Sequence, residues 1–188
     1  MNIRLANPVQ SDSIVDGEGI RTVIWTQGCS HHCKGCHNPE THSFSGGFLI
    51  DVEEIKKQIK EIKGQDGITF SGGDPMFQIE ACAEIAKFCK GQGLNIWCYT
   101  GFTFEELLKM MKVNEKLNEF LYNIDVLVDG KFQEEKKSLN LYFRGSSNQR
   151  ILDMKESLVK RSPIEIGKYK YVPDVRHTVF GKTEFMFI

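Results

Sequence analysis

No stretch of this chain approaches the roughly 18 consecutive apolar residues of a membrane-spanning helix. Behind Met1-Asn2-Ile3-Arg4 there is no apolar run of signal-peptide length, so a cytoplasmic protein is expected. An excess of either charge is also lacking: 24 Lys+Arg stand against 25 Asp+Glu, a net charge of -1, with the signs interspersed. Without a basic face or an acidic tail, neither nucleic acid nor a membrane surface is expected as a partner. What remains is a water-soluble domain of 188 residues, 40% of them apolar. A chain of that length buries roughly 70% of its unfolded surface and needs neither disulfides nor a structural metal to hold its core.

The six cysteines are therefore read as thiols, and they divide by spacing. Cys82 and Cys89 share a helical stripe with Ile85 and Ala86, and Cys98 follows Trp97 in a strand pattern, so these three are expected as small buried hydrophobes. Cys29, Cys33 and Cys36 lie instead within eight residues of one another, in a polar loop. Three soft thiolates at that spacing suit zinc or an iron-sulfur cluster. The loop has no fourth cysteine, so a cubane held by these three would keep one iron open to a ligand. Zinc competes, because His31, His32 and His37 are close enough in sequence to complete a four-ligand site. All three histidines are otherwise read as exposed loop residues.

From Arg21 onward short β-rich runs alternate with amphipathic helices. Strands are predicted at Arg21-Trp25, Gly67-Phe70, Asn95-Tyr99 and Ile124-Val128. Helices are predicted from Asp51 to Gly64, with Asp51 and Glu54 as a capping pair, from Ile79 to Lys90, from a capping box at Thr103 and Glu106, and from Ile151 to Lys160. Such alternation implies a mainly parallel sheet whose binding groups collect in loops beyond the carboxyl ends of the strands. Those loops are the cysteine loop, Ser71-Gly72-Gly73-Asp74-Pro75, Thr100-Gly101 and Asp129-Gly130-Lys131, all meeting at one rim. Eight βα units need about 250 residues, so the expectation is an open, partial (β/α) barrel forming a single domain over residues 1–188.

Cys29-x3-Cys33-x2-Cys36 resembles the signature of the radical S-adenosylmethionine superfamily, with His37 where an aromatic residue usually stands. Within it, Val15 to Arg21, Gly28 to Asn38, Ser71 to Pro75 and Val126 to Phe132 look like the glycyl-radical-enzyme activases. Arg144-Gly145-Ser146-Ser147-Asn148-Gln149 picks out the branch that serves anaerobic ribonucleotide reductases. The resemblance covers roughly residues 5 to 158, leaving 159–188 as a C-terminal extension without an assigned role.

The resemblance implies that Cys29, Cys33 and Cys36 ligate one 4Fe-4S cluster and that S-adenosylmethionine chelates the open iron. Reductive cleavage of that cofactor would yield a 5'-deoxyadenosyl radical, which takes a hydrogen from a glycine of the reductase. It further implies that Gly72, Gly73 and Asp74 bind the methionine amino group, that main-chain atoms of Gly35, Cys36 and His37 meet the adenine, and that Asp129 and Lys131 meet the ribose and carboxylate, with Thr100 as a further polar contact. No catalytic side chain is assigned. The implied partners are the large, glycyl-radical subunit of anaerobic ribonucleotide reductase and a low-potential electron donor such as flavodoxin or ferredoxin; homodimerisation is left open.

Two alternatives stand. Glu18 gives Asp16-Gly17-Glu18-Gly19 a likeness to the 7-carboxy-7-deazaguanine synthases, small-molecule radical enzymes, and a non-enzymatic zinc module is the other. Ordinary turn chemistry also competes at several sites. A βα turn accounts for one glycine of Gly72-Gly73, a type I' turn for Asp129-Gly130, and a Ser/Asn-rich loop for Arg144 to Gln149.

Overall fold

A computed structural model describes residues 1–170. The chain runs β1 (Asn2–Leu5), β2 (Gln10–Ser13), β3 (Arg21–Thr26), β4 (Phe48–Asp51), α1 (Val52–Glu61), β5 (Gly67–Gly72), α2 (Ile79–Gly91), β6 (Asn95–Tyr99), α3 (Phe104–Met110), α4 (Glu115–Asn123), β7 (Val126–Asp129), β8 (Arg150–Asp153) and α5 (Met154–Lys160). One eight-stranded sheet holds them in the order β4-β1-β3-β5-β6-β7-β8, with β2 paired to β3. Four central strands are parallel, β3 to β5 to β6 to β7, with β4, which falls between the first two in sequence, set off to the edge. Antiparallel strands flank them, β1 on β3 and β4 on one side and β8 on β7 at the other.

The period of two along each strand sorts side chains to two faces. Ile24, Ile68, Phe70, Ile96, Cys98, Leu127 and Leu152 pack with the helices in the main core, where Phe70 meets Phe120 edge-on at 5.3 Å. The alternate residues Trp97, Val126, Val128 and Ile151 form a smaller cluster with Tyr169. Cys82, Cys89 and Cys98 are fully buried, as their apolar settings imply. Arg21 is also buried. Its guanidinium donates to the carbonyls of Glu18, Ile68 and Asn95 and to the Thr69 hydroxyl, and it stacks 5.5 Å from the Trp97 ring. Burial in place of a carboxylate partner pulls its pKa down to about 10.

Five elements depart from expectation. Strands β1, β2 and β4 precede or interrupt the predicted series; each is four residues long and too short to show a period. Residues 150–153, expected to open the last helix, instead pair with β7, and Asp153 caps the helix that follows through the Glu156 N–H. Helix α4 fills the span between Met110 and Ile124, for which no element was predicted. Asp51 does cap α1, but through the Glu53 N–H, while Glu54 accepts from Gln58, so there is no reciprocal pair. The Thr103–Glu106 capping box forms as expected. Of the C-terminal extension, residues 171–188 lie outside the described residues.

Candidate functional site

The cysteine loop leaves β3 at Thr26 and is folded by its own backbone. Gly28 and Cys29 donate to the carbonyls of Thr41 and His42, Cys36 donates to Cys33, and the Asn38 N–H points at the Cys36 sulfur at 3.4 Å. All three loop cysteines line one cavity of about 450 Å³, together with Gly72, Gly73 and Thr100. Cavities of that size suit a cofactor-sized ligand. It sits past the C-terminal ends of β3, β5 and β6, where a parallel sheet gathers its loops.

Burial pushes the Cys29 thiol up to about 11, and it pushes Cys33 up as well while the Lys131 charge pulls the other way. Both thiols are therefore protonated at neutral pH in the metal-free chain, which makes them poor nucleophiles; binding a soft metal would release their protons. The donor set of three thiols around a cofactor-sized cavity fits an iron-sulfur cluster. It does not form a mononuclear cage, because among the described residues no three of His, Cys, Asp and Glu converge on one ion position. Of the histidines that zinc would require, His31 spends its Nε2 on Asp74, while His32 and His37 make ring contacts. The His31 ring packs on Phe102, His32 on His42 and His37 on Phe132.

His31 is the main correction to the loop. Its side chain is only 7% exposed, and its Nε2 lies 2.8 Å from Oδ2 of the fully buried Asp74. A carboxylate oxygen accepts, so the proton sits on Nε2. Asp74 also accepts from the Thr100 hydroxyl at 2.9 and 3.0 Å, the Gly101 N–H at 2.9 Å and the Met76 N–H at 3.0 Å. Asp74, which also lines the cavity, thus ties the cysteine loop, the Gly-Gly-Asp-Pro turn and the Thr100–Gly101 turn together. The Thr100 hydroxyl is spent on the same carboxylate.

Gly72 and Gly73 do line the cavity, but each is also required by the fold. Gly72 has φ +97°, and a Cβ there would stand 2.5 Å from the Thr26 carbonyl oxygen; at Gly73 it would stand 2.5 Å from that of Gly28. The turn geometry therefore explains both glycines, not one as the sequence suggested.

Asp129, Lys131 and Gly35 are not brought into the cavity, unlike Cys36 and His37. Asp129 is the last residue of β7 and is buried. Its carboxylate accepts from Arg150 at 2.5 and 2.9 Å and from the Phe104 N–H at 2.7 Å, which anchors α3 and β8. The Lys131 side chain is exposed, and Gly35 faces Glu134. No tight hairpin forms at Asp129-Gly130; β8, the strand paired with β7, begins 20 residues later. Local sequence held no signal for Arg150 as the partner of Asp129, or for His31 as that of Asp74, because these pairs are brought together only by the folded sheet.

The Arg144 to Gln149 segment folds onto the loop after β7. Gln149 accepts from the Gly145 and Ser146 N–H groups and donates to the Gly130 carbonyl, while Asn148 donates to that of Lys131. The Gln149 amide is thus consumed inside the protein, whereas the buried Asn148 Oδ1 has no partner among the described residues. Glu18 does not reach the cavity; it binds Lys168 and Tyr169, which removes the feature that suggested a small-molecule radical enzyme.

A cysteine-lined cavity at the carboxyl rim of a parallel sheet defines a class of cofactor-dependent α/β proteins. A family model described as "4Fe-4S single cluster domain" matches residues 15–152. The anaerobic ribonucleoside-triphosphate reductase-activating protein of Haemophilus influenzae is 36% identical over 146 residues, 73% of this chain and 90% of the relative. The protein of the same name from Escherichia coli is 34% identical over 159 residues, 79% of this chain and 96% of its own. Pyruvate formate-lyase-activating enzyme of Clostridium pasteurianum is 40% identical over 110 residues, 54% of this chain and 46% of that enzyme. The chain belongs to the 4Fe-4S single cluster family, in the branch of the anaerobic ribonucleoside-triphosphate reductase-activating proteins.

Proposed function

We propose that this chain is a radical S-adenosylmethionine enzyme that activates an anaerobic ribonucleoside-triphosphate reductase by generating a glycyl radical on it. The observation that carries this reading is the placing of Cys29, Cys33 and Cys36 on one cavity with the Gly72-Gly73 turn, in a chain of this family. Cys29, Cys33 and Cys36 would hold a single 4Fe-4S cluster as thiolates. When bound, the cluster and S-adenosylmethionine supply the one-electron chemistry that produces a 5'-deoxyadenosyl radical.

The chain's own part is to bind, orient and enclose. The backbone at Gly72 and Gly73 lets the cofactor approach without a side chain intervening, the Gly73 and Cys36 N–H groups being already bonded to Thr26 and Cys33, and main-chain atoms of Cys36 and His37 meet the adenine. Asp74 serves by fixing three of the loops relative to one another, Thr100 through Asp74, and Asp129 by holding Arg150 and α3. Phe132 and Phe143 give the cavity apolar walls that keep water from a reactive radical. The strand path runs from β4 to β8 without a pairing between them among the described residues, which supports an open, partial barrel whose gap admits a polypeptide. Glycine suits as the target because it has no side chain to block approach. The electron comes, in this reading, from a low-potential donor of the flavodoxin or ferredoxin type.

The test is anaerobic reconstitution with iron and sulfide. Reduced protein given S-adenosylmethionine should release 5'-deoxyadenosine, and Cys33→Ala should release none. Protein that binds four irons yet leaves the cofactor uncleaved under strong reductant would contradict the reading.

A further inference from the structure

The segment after α5 returns to the sheet, beyond the stretch that the family model matches. Glu165 bridges Leu152 of β8, and the Ile166 N–H donates to the Ile151 carbonyl. This places Tyr169, only 6% exposed, against Trp97, Phe143 and Tyr142 at ring separations of 5.9, 5.6 and 6.1 Å. Its hydroxyl donates to Glu18 at 2.8 Å, and its carbonyl accepts from Arg144 at 3.1 Å. Lys168 adds an ion pair to Glu18 at 2.6 Å.

Tyr169 therefore grips two segments that both border the cavity. One is the Asp16–Gly19 turn, whose Asp16 lines it; the other is the Leu141–Arg144 stretch, whose Leu141, Phe143 and Arg144 line it. Phe143 is held at φ +44°, a left-handed conformation that a bulky side chain adopts only when its surroundings impose it. The rings of Trp97 and Tyr169 meet its side chain edge-on at 5.3 and 5.6 Å. Next to this strained residue Tyr142 stands 40% exposed, and just before the other segment Val15, which lines the cavity, stands 72% exposed.

We propose that Tyr169 is a positioning residue for the protein partner: it presets the two segments on which the glycine-bearing polypeptide of the reductase is seated. This rests on the activase reading above. A preset seat lowers the ordering cost of binding a polypeptide, so its loss weighs more on the partner-dependent step than on cleavage of the cofactor alone.

The experiment compares reconstituted wild type, Tyr169→Ala and Tyr169→Phe in two assays: 5'-deoxyadenosine release without partner, and glycyl radical formation across a range of reductase concentrations. Tyr169→Ala should raise the KM for the reductase about fivefold while partner-free cleavage falls by less than about twofold, and Tyr169→Phe, which keeps the ring and loses the Glu18 bond, should raise that KM about twofold. Should Tyr169→Ala fail to fold, Tyr169→Phe carries the test. A KM unchanged in the folded variants overturns the proposal, as does partner-free cleavage falling in parallel with radical formation. Wild type that cleaves the cofactor but never forms a radical on the reductase overturns the activase reading itself.

Discussion

Asp74 is fully buried and accepts from four protein donors, so truncating it leaves those donors without their partner. Asp74→Ala leaves the Thr100 hydroxyl and the Gly101 and Met76 N–H groups unpaired and is expected to cost about 3 kcal/mol or more, read as a lower urea midpoint with unchanged slope. The cysteines divide just as sharply. Cys33→Ala should abolish iron binding, whereas Cys89→Ala, in the core, should keep the iron and cost about 1–2 kcal/mol. Iron analysis of the two reconstituted variants checks this, and the reverse pattern would contradict the assignment of the loop. The thiol ligands were legible in the sequence because their spacing is local. The roles of Asp74 and Asp129 were not, since each carboxylate is spent on donors from distant segments: His31 and Gly101 on the first, Arg150 and Phe104 on the second.

At the scale of elements, the strongly periodic ones were readable. β6 was predicted with the bounds it has, and α2 within one residue. The capping box of α3 satisfies backbone donors at the helix start, and Thr103→Ala should cost about 1 kcal/mol in a urea titration. The four-residue edge strands and β8 were not readable, because pairing with a neighbour, not a local period, makes them strands. Helix α2 also carries a pH dependence. Burial lifts the Cys89 thiol from 9.0 to about 12, and Cys82 and Cys98 shift the same way. A folded state that keeps a proton the unfolded chain has released loses stability as pH rises, here from about pH 9 upward. The metal-free protein should show that decline in urea midpoints between neutral and alkaline pH, and Cys89→Ala should make it shallower; an equal slope in the variant would contradict the cause.

For the whole molecule, the order of the sheet explains the site. Parallel strands added one after another put successive loops at one rim, and the sequence already placed the cysteine, Gly-Gly-Asp-Pro and Thr-Gly loops there. What it did not show was how the rim is locked: through Asp74 beneath the loops, through Arg150 behind Asp129, and through Tyr169 across the mouth. No helix among the described residues is long and apolar enough to cross a membrane. The central claim is that this cavity delivers a radical to a glycine of a partner polypeptide. It is tested most directly by supplying reductase labelled with deuterium at both α-positions of glycine and examining the products. Deuterium should appear in 5'-deoxyadenosine together with a protein radical whose paramagnetic resonance splitting collapses relative to the unlabelled sample. Unlabelled 5'-deoxyadenosine beside an unchanged reductase would contradict the account.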